Sequence, residues 1–98
     1  MRPPKALSGA PPLDPLEAEL LAEKAAGLGR SGRQVEAALA ALAAAARDDA
    51  DRPRLLRAAT EAVYFFLIQR ELCGLRDHRP AIAHYGIPSE VLSRLGAV

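Results

Sequence analysis

The reactive side chains of this chain gather near one turn. Cys73, Asp77 and His78 lie close together, and His84 follows. A thiol, a carboxylate and an imidazole are the parts of a nucleophilic or a metal site. The pattern such sites need is otherwise missing: the sequence has no second cysteine, no paired ligand spacing and no nucleophile elbow. Cys73 falls on the core phase of a helix, where a thiol serves as a small buried hydrophobe. Asp77 and His78 fall in a turn, where both residue types are common. On this basis no catalytic, metal or cofactor residue is assigned, and a non-enzymatic protein is expected.

Two other stretches could bind phosphate or nucleic acid. Gly29-Arg30-Ser31-Gly32-Arg33 has the glycine content of a phosphate loop, but it lacks the lysine–hydroxyl ending and no strand precedes it. Residues 80–95 look like a helix-turn-helix: a short helix, a glycine turn at Gly86 and a second helix with apolar spacing. A recognition helix must offer donors to base edges and phosphates. This one offers Ser89, Ser93 and Arg94, with Glu90 opposing them. A packing role for the unit is preferred, and a small DNA-binding regulator using it is kept as the alternative function.

Composition narrows the classes further. The net charge is +1, which gives no overall pull toward nucleic acid or a membrane surface. The distribution is uneven: eight acids stand against four bases from Asp14 to Asp51, and seven bases against four acids from Arg52 onward. These read as solvated faces, with some attraction between the two halves when packed. A lone cysteine forms no internal disulfide, so nothing argues for an oxidising compartment. Prolines interrupt the N-terminal stretch where a signal peptide would need an apolar core. No uncharged apolar run is long enough to span a bilayer. A cytoplasmic protein is expected, and the arginine and alanine bias suits a GC-rich bacterial genome.

The elements that must position these residues are helical. Half of the chain is apolar, but much of that is alanine and most of the rest leucine, with no period-two run of β-branched residues. The fold expected is all-α, in one domain spanning 13–98 behind a proline-rich, disordered arm at 1–12. Leu21, Leu28, Val35 and Leu42 recur at sevens, interleaved with Ala18, Ala25, Gly32, Leu39 and Ala46. This is the seam of a long helix over 14–47, and its phase survives Gly27, Gly29 and Gly32. A break near Gly29 is the alternative. Asp14-Pro15 and Asp51-Arg52-Pro53 are helix starts, with each aspartate expected to cap. A second, antiparallel helix is expected over 53–75, with a seam of Leu56, Ala59, Val63, Phe66, Arg70 and Cys73. Its belt from Val63 to Ile68 is apolar on every side and needs cover on more than one face. Two short helices, 80–85 and 89–95, are expected to fold over that belt, and Arg70 is expected to find a carboxylate or to snorkel outward.

Several stretches carry a resemblance. They are Leu13 to Arg33, with Glu23-Lys24-Ala25 and Leu28-Gly29-Arg30 inside it; Gln69-Arg70-Glu71-Leu72-Cys73-Gly74-Leu75-Arg76-Asp77; Tyr85-Gly86-Ile87-Pro88; and Leu95-Gly96. Together they resemble a family of short uncharacterised bacterial proteins that carries only a label of unknown function. The resemblance implies one domain over most of the chain after the arm, and it implies no activity. From the small-residue seams, the surplus of helical surface and the lack of a convergent polar cluster, the function expected is a helical interaction or assembly module, acting as a homodimer or through a protein partner. Its contacts are expected at Ala25, Leu28, Gly29, Gly32 and Val35 on the first helix and at Tyr64, Phe65, Leu67 and Ile68 on the second.

Overall fold

A computed structural model of the chain describes residues 12–96, so the arm expected at 1–12 lies almost wholly outside the described residues. The fold is all-α, and no strand occurs among the described residues. The helices are α1 (Pro15–Ala44), α2 (Arg52–Leu72), α3 (Arg79–Tyr85) and α4 (Ser89–Leu95). No helix of the described chain is long and apolar enough to cross a membrane.

Helix α1 starts with a capping box. The Glu17 backbone N–H donates to Asp14 Oδ1 at 2.7 Å, and the Asp14 N–H donates to Glu17 Oε1 at 3.2 Å. Two amides that the helix cannot pair are thereby satisfied. Pro15 occupies the first turn, where its missing N–H costs nothing. The helix continues unbroken through Gly27, Gly29 and Gly32. It ends at Ala44 rather than Arg47, because Ala45 turns to extended backbone and residues 45–51 are needed to reverse the chain. Within that reversal the Asp49 N–H donates to the Ala46 carbonyl and Arg52 N–H to that of Asp49.

Asp51 does not cap α2 with its side chain. Its carboxylate instead accepts from Arg54 Nε at 2.7 Å, one turn on, and that guanidinium holds the carboxyl below its ordinary range. An arginine three residues later outcompeted the free amides, which the start signal alone could not reveal. At the other end α2 stops at Leu72, three residues short of the expected end. Gly74 adopts a positive φ of 85°, the Gly74 N–H donates to the Glu71 carbonyl and the Leu75 N–H to that of Arg70. This pair of bonds closes a Schellman motif and satisfies carbonyls that would otherwise be orphaned. The same device ends α3: Gly86 has φ 61°, and Gly86 and Ile87 donate to Ala83 and Ile82.

Helices α1 and α2 form the antiparallel pair, and α4 packs on α2. The core consists of Val35 and Leu42 from α1, Leu56, Ala59, Val63, Phe66 and Leu67 from α2, Ala81 from α3, then Ile87 and Val91. The α1 seam is thus covered from Leu28 onward, while Ala18, Leu21 and Ala25 keep the same phase but stay exposed. Helix α1 has 30 residues and α2 has 21. At about 1.5 Å per residue the excess is roughly 14 Å of α1, projecting past the end of α2.

Candidate functional site

The polar groups at the turn after α2 are held by one another. The ring of His78 bridges two α2 side chains: Arg70 Nε donates to Nδ1 at 3.3 Å, and Nε2 lies 2.9 Å from Glu71 Oε2. With Nδ1 accepting, the ring carries its proton on Nε2 and donates it to the carboxylate. Arg70 also donates through Nη2 to the Asp77 carbonyl at 2.7 Å. The arginine on the α2 seam phase, expected to find a carboxylate or to snorkel outward, finds a backbone carbonyl and an imidazole at the end of the helix. Glu71 is the member of this group that sequence reasoning overlooked. Its spacing of seven from His78 across a glycine turn gave no periodic signal.

Asp77 faces the other way. Its carboxylate accepts from Arg79 Nε at 2.9 Å, Arg79 Nη2 at 3.0 Å and the Arg79 backbone N–H at 3.1 Å. These bonds lower its pKa to about 2, so the group stays an anion over the whole working range and is a poor proton acceptor. Cys73 is half-buried beside Leu21, Lys24, Ala25, Leu28 and Leu72. His84 packs edge-on against Tyr85, with centroids 4.8 Å apart. The four residues nominated for chemistry thus point into four different surroundings. Among the described residues, no three His, Cys, Asp or Glu side chains are placed to hold a metal ion.

The helix-turn-helix-like unit is α3, Gly86 and α4. Val91 is fully buried and Leu92 and Leu95 half-buried, so one face of α4 is spent on the core. Glu90 Oε1 accepts from Arg52 Nη2 at 2.7 Å, and Arg47 Nη1 lies 3.5 Å from its other oxygen. This clamp ties the start of α4 to the start of α2. Gly29 to Arg33, weighed above as a phosphate loop, lies inside α1, where its amides are committed to the helix.

The nominated contact residues divide. Gly32, Val35 and Leu67 are buried within the chain, and Leu28 and Ile68 are half-buried, leaving Ala25, Gly29, Tyr64 and Phe65 exposed. Gly32 marks a close approach, but to the chain's own α3: a Cβ placed there would collide with Tyr85 Oη and sit 3.6 Å from Phe66 Cε1. Tyr85 meets Phe66 edge to face, with centroids 5.1 Å apart at 81°. The aromatic belt is therefore covered only in part: Phe66 is inside, while Tyr64 is 59% and Phe65 51% exposed. Sequence reasoning overlooked Leu16 and Leu20, both exposed along the free end of α1; Leu16 reaches 64%. Leu20, Glu23, Gly27, Arg30, Gln34, Phe65 and Gln69 line an open groove of about 490 Å³ between α1 and α2. Ala25, Gly29 and Tyr85 line a separate groove that also includes α3 residues Pro80 and Ala81.

The chain belongs to a family of unknown function (DUF6665), which matches residues 5–98. No curated protein matches it. No solved structure matches it either.

Proposed function

From a fold whose family has no assigned activity, we propose a non-enzymatic helical interaction module that acts through self-association or a protein partner. The single observation that carries this reading is the free end of α1. Leu16, Leu20 and Leu21, with Leu13 just ahead of the helix, are all about half exposed or more, α1 outruns its neighbour, and Phe65 lies exposed beside the groove that Leu20 lines. Contiguous apolar surface of this kind marks a contact site more often than a scatter of single leucines does. Asp77 and His78 of the α2–α3 turn support it from the other side, since each already has a structural partner. A cytoplasmic setting in a bacterium belongs to the same proposal.

The test is the mass of the full chain in solution by light scattering, over a wide concentration range. A homodimer is expected, weakened by Leu16→Asp. A single-chain mass throughout would remove the self-association arm. A chain that is also indifferent to Leu16→Asp in pairwise binding to proteins encoded beside it would remove the partner arm.

A further inference from the structure

The charges along the free half of α1 are sorted, not mixed. Residues 14–23 carry Asp14, Glu17, Glu19 and Glu23 and no base; residues 24–33 carry Lys24, Arg30 and Arg33 and no acid. The ion pairs formed among the described residues are Arg47 and Arg52 with Glu90, Arg54 with Asp51, His78 with Glu71 and Arg79 with Asp77. None of them uses a residue between 14 and 33. An acidic block and a basic block therefore stand side by side on one helix, both without an ion-pair partner among the described residues.

The apolar surface has the same division. Leu13, Leu16 and Leu20 stand out on the acidic block. On the basic block, the matching face carries Gly27 and the groove it shares with Phe65 and Gln69. A glycine on the contact face leaves a hollow, and a leucine from a facing helix is the side chain that fills such a hollow.

We propose that the occupant of this groove is a second copy of the chain, lying antiparallel along α1 with its twofold axis near Glu23 and Lys24. This deepens the reading of the chain as an interaction module and rests on it. Turning a copy about that point lays its acidic block along the basic block of the first, twice over. It also brings the partner's Leu16 and Leu20 over the stretch from Gly27 to Gln34, beside Phe65. A parallel arrangement would set acid against acid and base against base. Complementary potentials of this kind select orientation and partner.

The experiment is sedimentation velocity by analytical ultracentrifugation on the full chain, with a salt titration, on the wild type and three variants. Raising salt from about 50 to 300 mM should weaken the wild-type dimer several-fold, because screened attraction is what orients it. Arg30→Glu with Arg33→Glu, and separately Glu19→Lys with Glu23→Lys, should each weaken it by about tenfold, since exposed pairs are worth little singly and several are reversed at once. An equimolar mixture of the two should dimerise more tightly than either variant alone, because one acidic block again faces a basic block, yet less tightly than the wild type, which has two such pairings. Leu20→Asp should leave a monomer. All these positions are exposed and outside the capping box, and circular dichroism checks that the helix content holds. A dimer that tightens with salt, or that ignores both charge reversals, overturns the antiparallel register and leaves the interaction module standing. A wild type that stays monomeric overturns the second copy as occupant, and leaves the module with a different partner.

Discussion

Replacing Gly32 by alanine separates two effects of opposite sign. Alanine is favoured over glycine inside a helix by about 0.8–1.0 kcal/mol. Against this, the new Cβ would collide with Tyr85 Oη and lie 3.4 Å from Tyr85 Cζ. The Tyr85 ring has little freedom to give way, because it is half-buried and packed edge to face on Phe66. Overpacking of this kind costs about 1–3 kcal/mol, and loss of the aromatic pair adds about 0.5–1.5. The net expectation is destabilisation by about 1–2 kcal/mol, which in a domain of this size lowers Tm by on the order of 5–10 °C. Thermal unfolding followed by far-UV circular dichroism measures it. Gly27→Ala and Gly29→Ala are the controls, since a Cβ there meets only side-chain tips of Arg30, Gln69 and Arg33 at 3.6 Å. Both should stabilise the single chain by close to the full helix preference. Tyr85→Phe in the Gly32→Ala background removes the colliding oxygen and should recover most of the loss, a coupling read as a double-mutant cycle. If Gly32→Ala stabilises as much as Gly29→Ala, or if Tyr85→Phe rescues nothing, the close approach of α3 to α1 is misread.

The remaining predictions concern the clamp, the turn and the aromatic belt. Glu90→Gln removes the anion facing Arg52, whose side chain is only 17% exposed and whose Nε is buried without a hydrogen-bond partner; a loss of about 1–2 kcal/mol in urea unfolding is expected, and an unchanged midpoint would refute the clamp. Asp77, with a folded pKa lowered to about 2, contributes stability that is fully present above the unfolded carboxylate value of about 3.9 and is lost as pH falls through 2. Unfolding midpoints of wild type and Asp77→Asn should therefore differ at neutral pH and converge below about pH 2; a gap that persists there would mean the charge is not the cause. Two neighbours should part company: Phe66→Ala, inside the core at 4% exposure, costs about 3–5 kcal/mol of stability, whereas Phe65→Ala, exposed beside the groove, leaves the monomer within about 0.5 kcal/mol and weakens association. Chemical denaturation and ultracentrifugation of the same two samples decide it.

What the sequence made legible is what local physics controls. The helical phase carried across three glycines because a seam position depends only on the count of residues, and α1 is unbroken through them. Glycine past a helix end, with positive φ at Gly74 and Gly86, followed from the left-handed backbone that ends a helix. The misreadings came from competition between partners distant in the chain or close to it. Asp51 turned to Arg54 instead of the free amides, and Arg70, for which a carboxylate or an outward reach was expected, turned to His78 and the Asp77 carbonyl. The role of Gly32 was assigned to contact with another helix, and a helix does approach it, but the one that arrives is α3 of the same chain. Nothing local to residue 32 could say which helix would come. The belt from Val63 to Ile68 was expected to lie under α3 and α4; the short helices cover Phe66 and leave Tyr64 and Phe65 outside because a seven-residue helix shades only one face of its neighbour.

The glycines of α1 also bear on why its free end exists. A helix gains most of its stability from the face it buries, and the stretch before Leu28 buries little. It can persist because the packed half supplies the nucleus, so each added residue needs only propagation, and because the capping box and Glu17 in the first turn favour a helix start. Gly27 and Gly29 sit at the junction of the two halves and weaken that propagation by about 0.8–1.0 kcal/mol each relative to alanine. Gly32 has a reason within the chain, since Tyr85 occupies the place of its side chain. Gly27 and Gly29 have none: the space beside them is open to a Cβ. A residue that costs stability and relieves no clash in the monomer is accounted for once something outside the monomer comes close to its backbone. The groove at Gly27, with a leucine-bearing helix of complementary charge available on every other copy, is where that approach fits.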